Sequence, residues 1–275
     1  MVTTGRAEGF RLAIITDVAT QDVSSATSSA VAASSAAGAS SAVAASSAAG
    51  ASSAAGASSA VEDYAKAIYV LQHEGEDEAV TTNALAERLA VTAGSASGMV
   101  RRLDGLGLVT HEPYKGVRLT EAGERVALEV LRHHRLLELY LTKSLGVPWD
   151  RVHKEAEVLE HVLSEELEEL IAEKLGNPTR DPHGDPIPTR DGRIDEAETQ
   201  SLQSLEPGAR ARFVRVSDSD PSMLRYLSER GIAPGMSLEV VDKQPFDGPL
   251  FVRFGQEVHV LGGALAVAMR VEVAE

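Results

Sequence analysis

The chain has 275 residues, a hydrophobic fraction of 43%, few aromatic residues, no cysteine and a formal net charge of −15. This length allows two or three domains with mainly aliphatic cores. The lack of cysteine excludes disulfides, cysteine-type zinc sites and thiol nucleophiles. The acidic balance argues against non-specific coating of nucleic acid. Because no apolar run reaches 18 residues, we expect no membrane partner and a cytoplasmic location.

Residues 1–60 are dominated by a six-residue repeat of alanine, serine and glycine that starts near Thr27 and ends at Ala60. A left-handed β-helix is disfavoured because bulky aliphatic residues rarely recur within the repeat. Alanine favours helix whereas serine and glycine oppose it. We therefore interpret the segment as a low-complexity tail, predicted to be disordered and given no function.

Residues 61–125 carry the pattern of a DNA-binding module. Apolar spacing predicts a helix from Val61, Thr82 is predicted to cap a second helix, and a third helix begins at Ser95. Residues 109–120 then predict a hairpin with a basic tip. Two helices and a basic hairpin are typical of a winged helix-turn-helix, whose partner is double-stranded DNA. A plain three-helix bundle is the alternative, but a bundle does not require a basic hairpin.

The predicted DNA contacts are small donors, glycines that permit close approach and basic residues that reach phosphates. Five basic and three acidic residues lie between positions 81 and 120, so the module is locally positive. The predicted contact residues are Thr82, Thr92, Gly94, Ser95, Ser97, Gly98, Arg101, Arg102 and Lys115.

The remaining sequence divides into three parts. Residues 126–176 predict a helical domain with one helix from Thr120 to about Leu145 and another, with Asp150 as its candidate cap, to about Leu175. Residues 177–204 are rich in proline, glycine and aspartate and are interpreted as a linker. Residues 205–275 contain five short strand patterns and one helix, which suggests a small barrel. The predicted fold is therefore mainly α with a small all-β domain.

Two helical patterns predict a metal site. Glu157, Glu160 and His161 stand at positions i, i+3 and i+4, and His134 and Glu138 stand at i and i+4. On a helix each set shares one face, and carboxylates with imidazoles suit a divalent transition metal. The alternative is a solvated glutamate-rich face such as residues 164–170. The other histidines are assigned to the surface, at His73, His111, His133 and His259, and to a structural role in the linker, at His183.

These residues together resemble the diphtheria-toxin-repressor family of metal-dependent transcriptional regulators. The resemblance is carried by short segments that begin at Glu62, Ala86, His134, Val152, Glu160 and Pro182. It covers residues 61–190 well, and the final seventy residues resemble more loosely the family's SH3-like third domain, shared with ferrous-transport accessory proteins.

The resemblance implies two metal sites. The primary site would join Asp63 on the first helix to Glu157, Glu160 and His161, and the ancillary site would use His134, Glu138 and His153. Third-domain oxygen ligands would be Asp218 or Asp220 in the ancillary set. Carboxylates at Asp63 and Glu157 imply Mn²⁺, whereas iron-sensing relatives place Met and Cys there. Lys66, where a glutamate ligand can occur, argues against a bridged two-metal cluster, and Fe²⁺ stays open because the ancillary set resembles iron-type members.

The predicted function is a dimeric repressor that binds palindromic operators when loaded with Mn²⁺ or Fe²⁺, with no organic cofactor. Two other classes stay open: a winged-helix regulator that responds to a non-metal signal, and a metal-buffering or transport-accessory protein. An enzyme is disfavoured because the sequence lacks a nucleophile–base pair, a phosphate loop and a dinucleotide fingerprint.

Overall fold

The structure is a computed structural model that describes residues 59–73, 79–112, 115–195, 198–246 and 248–273. Nearly all of the predicted 1–60 tail lies outside the described residues. Within these ranges no helix is both long and apolar enough to cross a membrane. The predicted mainly helical fold with a small all-β part at the C-terminal end is confirmed.

Three helices and a hairpin form the N-terminal part. The elements are α1, helical over residues 59–73, α2 (Thr82–Arg88), α3 (Ala93–Gly105), β1 (Val109–Glu112) and β2 (Gly116–Leu119). The strands pair antiparallel, as predicted, with Val109 opposite Leu119. Thr81, not the predicted Thr82, caps α2, because its extended backbone lets Oγ1 accept a hydrogen bond from the Ala84 amide at 3.1 Å.

Helix α1 contributes to two separate hydrophobic cores. Ile68 packs with Leu85 and Leu103 in the winged module. Ala65 and Tyr69, on another face of the helix, pack against the next long helix. Any change in the position of α1 is therefore transmitted to the winged module through buried side chains.

The helical part consists of α4 (Glu121–Leu145), α5 (Val152–Leu159), a 3₁₀ turn (Glu160–Val162) and α6 (Glu165–Lys174). The prediction of one helix from Asp150 to Leu175 is wrong, because Leu163 is extended and Ser164 caps a new helix by accepting from the Leu167 amide. Asp150 is not a cap; Arg151 holds that position without a side-chain hydrogen bond.

The segment after α6 is packed rather than loose. Asp181, His183 and Ile187 are all buried. Gly184 has a positive φ of 93°, and a Cβ there would overlap the carbonyl oxygen of Val214. Only glycine therefore allows this turn to lie directly on the C-terminal sheet.

The C-terminal part is a six-stranded antiparallel sheet with two helices. Its elements are β3 (Gln200–Ser201), β4 (Arg210–Val216), α7 (Pro221–Ser228), β5 (Ser237–Lys243), β6 (Leu250–Phe254), β7 (Glu257–Leu261), α8 (Gly263–Ala268) and β8 (Met269–Val273). The strand order is β3-β8-β4-β5-β6-β7. Within the described residues β3 and β7 do not pair, so the predicted barrel is an open sheet. The two-residue β3 is too short to close it.

Candidate metal sites and DNA-binding module

The first ligand group lies where α1 meets the 3₁₀ turn. The Asp63 carboxylate Oδ1 lies 2.9 Å from His161 Nε2, and Glu160 Oε1 lies 3.6 Å from the same nitrogen. The ligand atoms of these three residues all lie within 4.8 Å of one another. The 3₁₀ turn orients Glu160 and His161 toward α1, although the predicted α-helical spacing does not persist to His161.

Glu157 does not join Asp63 in that group. It belongs instead to a second group with His134 and Glu160, whose ligand atoms also lie within 4.8 Å of one another. The Lys66 ammonium lies 2.7 Å from Glu157 Oε1 and 2.5 Å from Glu160 Oε1. Lys66 therefore occupies the position between the two carboxylates, which divides the predicted primary set.

Glu62 is a functional candidate that the sequence patterns missed. Its Oε2 lies 2.7 Å from His161 Nδ1, while Nε2 of the same ring faces Asp63. A carboxylate on the far nitrogen fixes the tautomer and orientation of a metal-binding imidazole. Helical spacing gives no signal for this role, because adjacent residues do not normally share a helix face.

The predicted ancillary residues assemble around the buried Glu138. Glu138 Oε1 lies 3.1 Å from His134 Nε2 and 3.4 Å from His153 Nδ1, and His153 Nδ1 lies 2.9 Å from Asp218 Oδ2. All four ligand atoms fall within 4.8 Å of one another. Asp220 is not brought to this group, because its carboxylate caps α7 by accepting from the Ser222 amide at 2.8 Å.

The carboxylates hold the histidines in their charged form. Burial alone would lower the pKa of His134, but the Glu138 charge and hydrogen bonds to Glu138 and Glu160 raise it to about 9. Hydrogen bonds to Asp218 and Glu138 raise the pKa of His153 to about 10. Each imidazole must lose a proton before it can bind a metal, so protons compete with the ion here.

The residues fit a divalent cation on two counts. Asp63 Oδ1 and Glu138 Oε1 are buried carboxylate oxygens that lie beside imidazole nitrogens of their own ligand groups, His161 Nε2 and His134 Nε2. Buried carboxylates are costly unless positive charge compensates them, and a bound cation would supply that charge when the imidazoles are neutral. The groups also offer oxygen and imidazole nitrogen atoms, which are ordinary ligands of first-row divalent metals.

A third buried group supports Glu138. His183 Nδ1 lies 3.5 Å from Glu138 Oε2, and His183 Nε2 donates a hydrogen bond to the Trp149 carbonyl at 2.8 Å. Asp181 accepts hydrogen bonds from the amides of His183 and Asp185. His183, predicted to be structural, thus contacts Glu138 and the Trp149 carbonyl. Through His183 the linker turn contacts the ancillary group directly.

Two side chains assigned to the surface are buried. His133 has an exposed fraction of 8% and its Nε2 lies 3.1 Å from Glu168 Oε2. Glu168 also accepts from Arg132 Nε at 2.5 Å. The predicted surface position of His133 is therefore wrong, because it pairs with Glu168 across α4 and α6. The glutamate-rich face is otherwise solvated as predicted, with Glu165, Glu166 and Glu169 exposed.

In the DNA-binding module, α3 buries Ala96, Val100 and Leu103 and exposes its other side. Thr92 caps the helix, and its Oγ1 accepts from the Ser95 amide at 3.1 Å. Most of the other predicted contacts are exposed or partly exposed along α3, at Gly94, Ser95, Ser97, Gly98, Arg101 and Arg102. Thr82 is half-buried on α2, and Lys115 stands at the hairpin tip beside Glu112.

Two glycines of α3, Gly94 and Gly98, are not packed closely against the described part of the chain. An added Cβ at Gly94 or Gly98 would meet no atom closer than 3.9 Å. Glycine within a helix costs stability relative to alanine. Their presence on the exposed side of α3 therefore favours the close approach of an external partner.

Comparison with known families agrees with this arrangement. The N-terminal DNA binding domain of iron dependent repressors matches residues 57–117, their metal binding and dimerisation domain matches residues 120–189, and the FeoA domain matches residues 200–273. The three matches together span most of the described residues.

Individual relatives give the same result. The chain is 32% identical to the iron-dependent repressor IdeR of Mycobacterium bovis, over 77% of this chain and 96% of the relative. It is also 32% identical to the diphtheria toxin repressor of Corynebacterium efficiens, over 77% and 94%. The structure of a manganese-dependent transcriptional repressor in complex with manganese superposes with a TM-score of 0.73 and 41% identity, covering 78% of this chain and all of that one. The T. acidophilum IdeR structure has a TM-score of 0.63 and 29% identity, over 78% and 97%. The chain therefore belongs to the iron-dependent and manganese-dependent family of transcriptional repressors that includes the diphtheria toxin repressor.

Proposed function

We propose that this chain represses transcription as a homodimer that binds a palindromic operator when it is loaded with Mn²⁺. The observation that carries the proposal is the contact between α1 and the 3₁₀ turn, where Asp63 meets Glu160 and His161. These ligands come from two different parts of the molecule, so occupancy of the site would fix their relative position.

The donor set supports Mn²⁺ over Fe²⁺. Asp63, Glu157 and Glu160 supply hard oxygen atoms and the chain has no cysteine, whereas soft sulfur ligands favour Fe²⁺, Co²⁺ and Ni²⁺. The solved relative with 41% identity is a manganese complex. The mycobacterial relative of 32% identity is an iron-dependent repressor, so Fe²⁺ is the competing assignment.

The coupling to DNA rests on α1. In the metal-free chain the carboxylates of Asp63, Glu157 and Glu160 repel one another. The His161 charge beside Asp63, the His134 charge beside Glu160 and the Lys66 ammonium offset part of that repulsion. A bound dication supplies the missing positive charge. Asp63 and His161 then hold α1 against the 3₁₀ turn, and the buried contacts of Ile68 orient the winged module with it. A differential affinity of about 1–3 kcal/mol would change DNA affinity roughly 5- to 150-fold.

The second copy is proposed to cover an apolar face on α5, the 3₁₀ turn and α6. Val158, Val162 and Leu170 are 70%, 77% and 56% exposed. The matching family domain, over residues 120–189, is described as a metal binding and dimerisation domain, and it contains this face. Two winged modules related by a twofold axis would then read two half-sites.

The experiment is selection from a random duplex library with the full chain, run in parallel with Mn²⁺, with anaerobic Fe²⁺ and with chelator. A palindrome recovered only with metal supports the proposal, and the metal that acts at the lower concentration identifies the physiological candidate. The same palindrome with chelator would contradict metal control. Recovery of no sequence, with metal binding intact, would favour a metal-buffering protein.

A further inference from the structure

A cavity of about 320 Å³, lined by none of the metal-ligand residues, lies between the linker and the C-terminal sheet. Its polar lining residues are His73, Arg180, Glu198, Thr199, Arg215 and Arg270. Three guanidinium groups thus face one space that is bounded by the end of α1, the linker and strands β4 and β8. A cavity of this size can hold a small ligand.

The sheet places two of these arginines directly opposite each other. Arg215 on β4 is the register partner of Arg270 on β8. Like charges opposite each other across antiparallel strands are destabilising. Farther along the same two strands, Arg212 is opposite Glu272 and the two form an ion pair of 2.5 Å. The strands therefore pair opposite charges at the exposed position and like charges at the cavity.

The hydrogen bonds that these arginines make leave most of their charge uncompensated. Arg270 donates to the carbonyl and hydroxyl of Thr199, and Arg180 donates to the Gly184 carbonyl. Both sets of acceptors are neutral. Among the described residues Arg215 is the one of the three that makes an ion pair, with Asp185 at 3.1 Å, and the Glu198 side chain also lines the cavity. Burial, together with the neighbouring Arg215 charge, lowers the pKa of Arg270.

A planar guanidinium has five N–H donors and matches the oxygen atoms of phosphate and carboxylate groups in a bidentate geometry. Within the described part of the chain, each of the three arginines uses one or two of its donors. An oxyanion between them would accept the remaining donors and neutralise the Arg215–Arg270 repulsion.

We propose that this cavity binds a small phosphate- or carboxylate-bearing anion, held by Arg180, Arg215 and Arg270. The site contains none of the metal-ligand residues, although Arg215 and Arg270 also line the larger neighbouring cavity that holds them, and it takes a ligand of opposite charge. Because the cavity touches α1, the linker and the sheet, the bound anion would connect the three parts of the chain.

The test is isothermal titration of chelator-treated full chain with inorganic phosphate, and separately with succinate, at an ionic strength fixed with sodium chloride. Chelation removes any contribution from metal-bound anion. We expect saturable binding by the wild type, and binding at least about tenfold weaker after Arg270→Gln, because a charge-assisted bidentate contact is lost. Arg212→Gln on the same strand pair is the matched control and should bind like the wild type.

Arg180→Gln provides a second variant that lies outside the sheet, and the same loss is expected. Saturation by phosphate identifies a phosphate-bearing ligand, and saturation by succinate alone identifies a carboxylate-bearing one. No heat beyond the chloride blank with either probe would overturn the proposal. Equal affinity in the wild type, Arg270→Gln and Arg180→Gln would also overturn it.

Discussion

Nδ1 of the His134 imidazole lies 2.5 Å from Glu160 Oε2, while Nε2 of the same ring lies 3.1 Å from Glu138 Oε1. The buried His134 side chain therefore links the two ligand groups that contain Glu160 to the ancillary group around Glu138. Because an imidazole is rigid, a ligand bound at one nitrogen constrains what the other nitrogen can contact.

His134→Gln is expected to weaken metal binding at both sites. The ancillary group loses a ligand, and the group at Asp63 loses the ring that orients Glu160, an effect of about 10- to 100-fold on affinity. Mn²⁺ titration of the full chain, followed by the electron paramagnetic resonance signal of the free ion, measures both events. His153→Gln is the matched control, since it should affect only the ancillary site. Unchanged affinity at the Asp63 group in His134→Gln would show that the ring does not link the sites.

Local sequence signals anticipated much of the fold. Thr120 and Leu145 mark the observed ends of α4, and the hairpin forms where alternation and the glycine near its tip predicted it. The break in the helix after α5 also had a signal, because Ser164 followed by three glutamates within four residues is typical of a helix N-terminus. The sequence was nevertheless interpreted as one continuous helix, because apolar residues stand on both sides of Ser164.

The candidate site was harder to predict because its contacts are distant in sequence. Lys66 contacts Glu157 and Glu160 across more than ninety residues, and no spacing rule joins them. His133 and His134 are neighbours in sequence, yet one pairs with Glu168 and the other with Glu160. Which partner each ring meets depends on how α6 and the 3₁₀ turn pack on α4.

Lys66→Met should destabilise the metal-free protein by about 3 kcal/mol, because two carboxylates lose a partly buried counter-ion. Mn²⁺ should then stabilise the variant more than it stabilises the wild type. Chemical denaturation with chelator and with Mn²⁺ measures both effects. Lys115→Met removes an exposed, solvent-screened pair and should leave stability nearly unchanged. Equal stability of the Lys66 and Lys115 variants in chelator would contradict the role of Lys66 as counter-ion.

The stability of the metal-free protein should fall as pH rises above neutrality. The pKa values of His134 and His153 are raised to about 9 and about 10, above the ordinary value of 6.5. Their ion pairs therefore contribute fully below about pH 6.5, and the contribution is lost as pH rises through 9 to 10. The test is thermal unfolding in chelator from about pH 6 to about pH 10, the limits set by these pKa values. The unfolding temperature should fall more steeply with pH for the wild type than for His153→Gln. Parallel curves for the two proteins would refute the assignment.

Val162→Glu should convert the dimer to a monomer, because it buries a charge in the proposed apolar interface. Sedimentation equilibrium of the full chain measures the change, with an expected weakening of at least about a hundredfold. Val258→Glu replaces a 46% exposed valine on β7 and is the matched control. A Val162→Glu protein that stays as dimeric as the control would place the interface elsewhere.

Gly98→Ala should affect fold stability and DNA binding in opposite directions. Alanine within α3 raises stability by about 0.5–1 kcal/mol, since the added Cβ meets open space. The same methyl group blocks close approach of the helix to DNA and should lower operator affinity. Gly105→Ala, at the other end of α3, should raise stability without the loss of affinity. If Gly98→Ala bound DNA as tightly as the wild type, this face of α3 would not be part of the DNA interface.

The most direct test of the account is operator affinity as a function of Mn²⁺ concentration for the wild type and Asp63→Asn, measured by fluorescence anisotropy on a duplex obtained by selection. Asp63 is the α1 residue of the first ligand group, so its loss should disconnect metal occupancy from the winged module. We predict that Mn²⁺ raises wild-type affinity about 5- to 150-fold and leaves the folded, dimeric variant unresponsive. A variant that responds to Mn²⁺ as the wild type does would contradict the proposal that a metal bound between α1 and the 3₁₀ turn controls DNA binding.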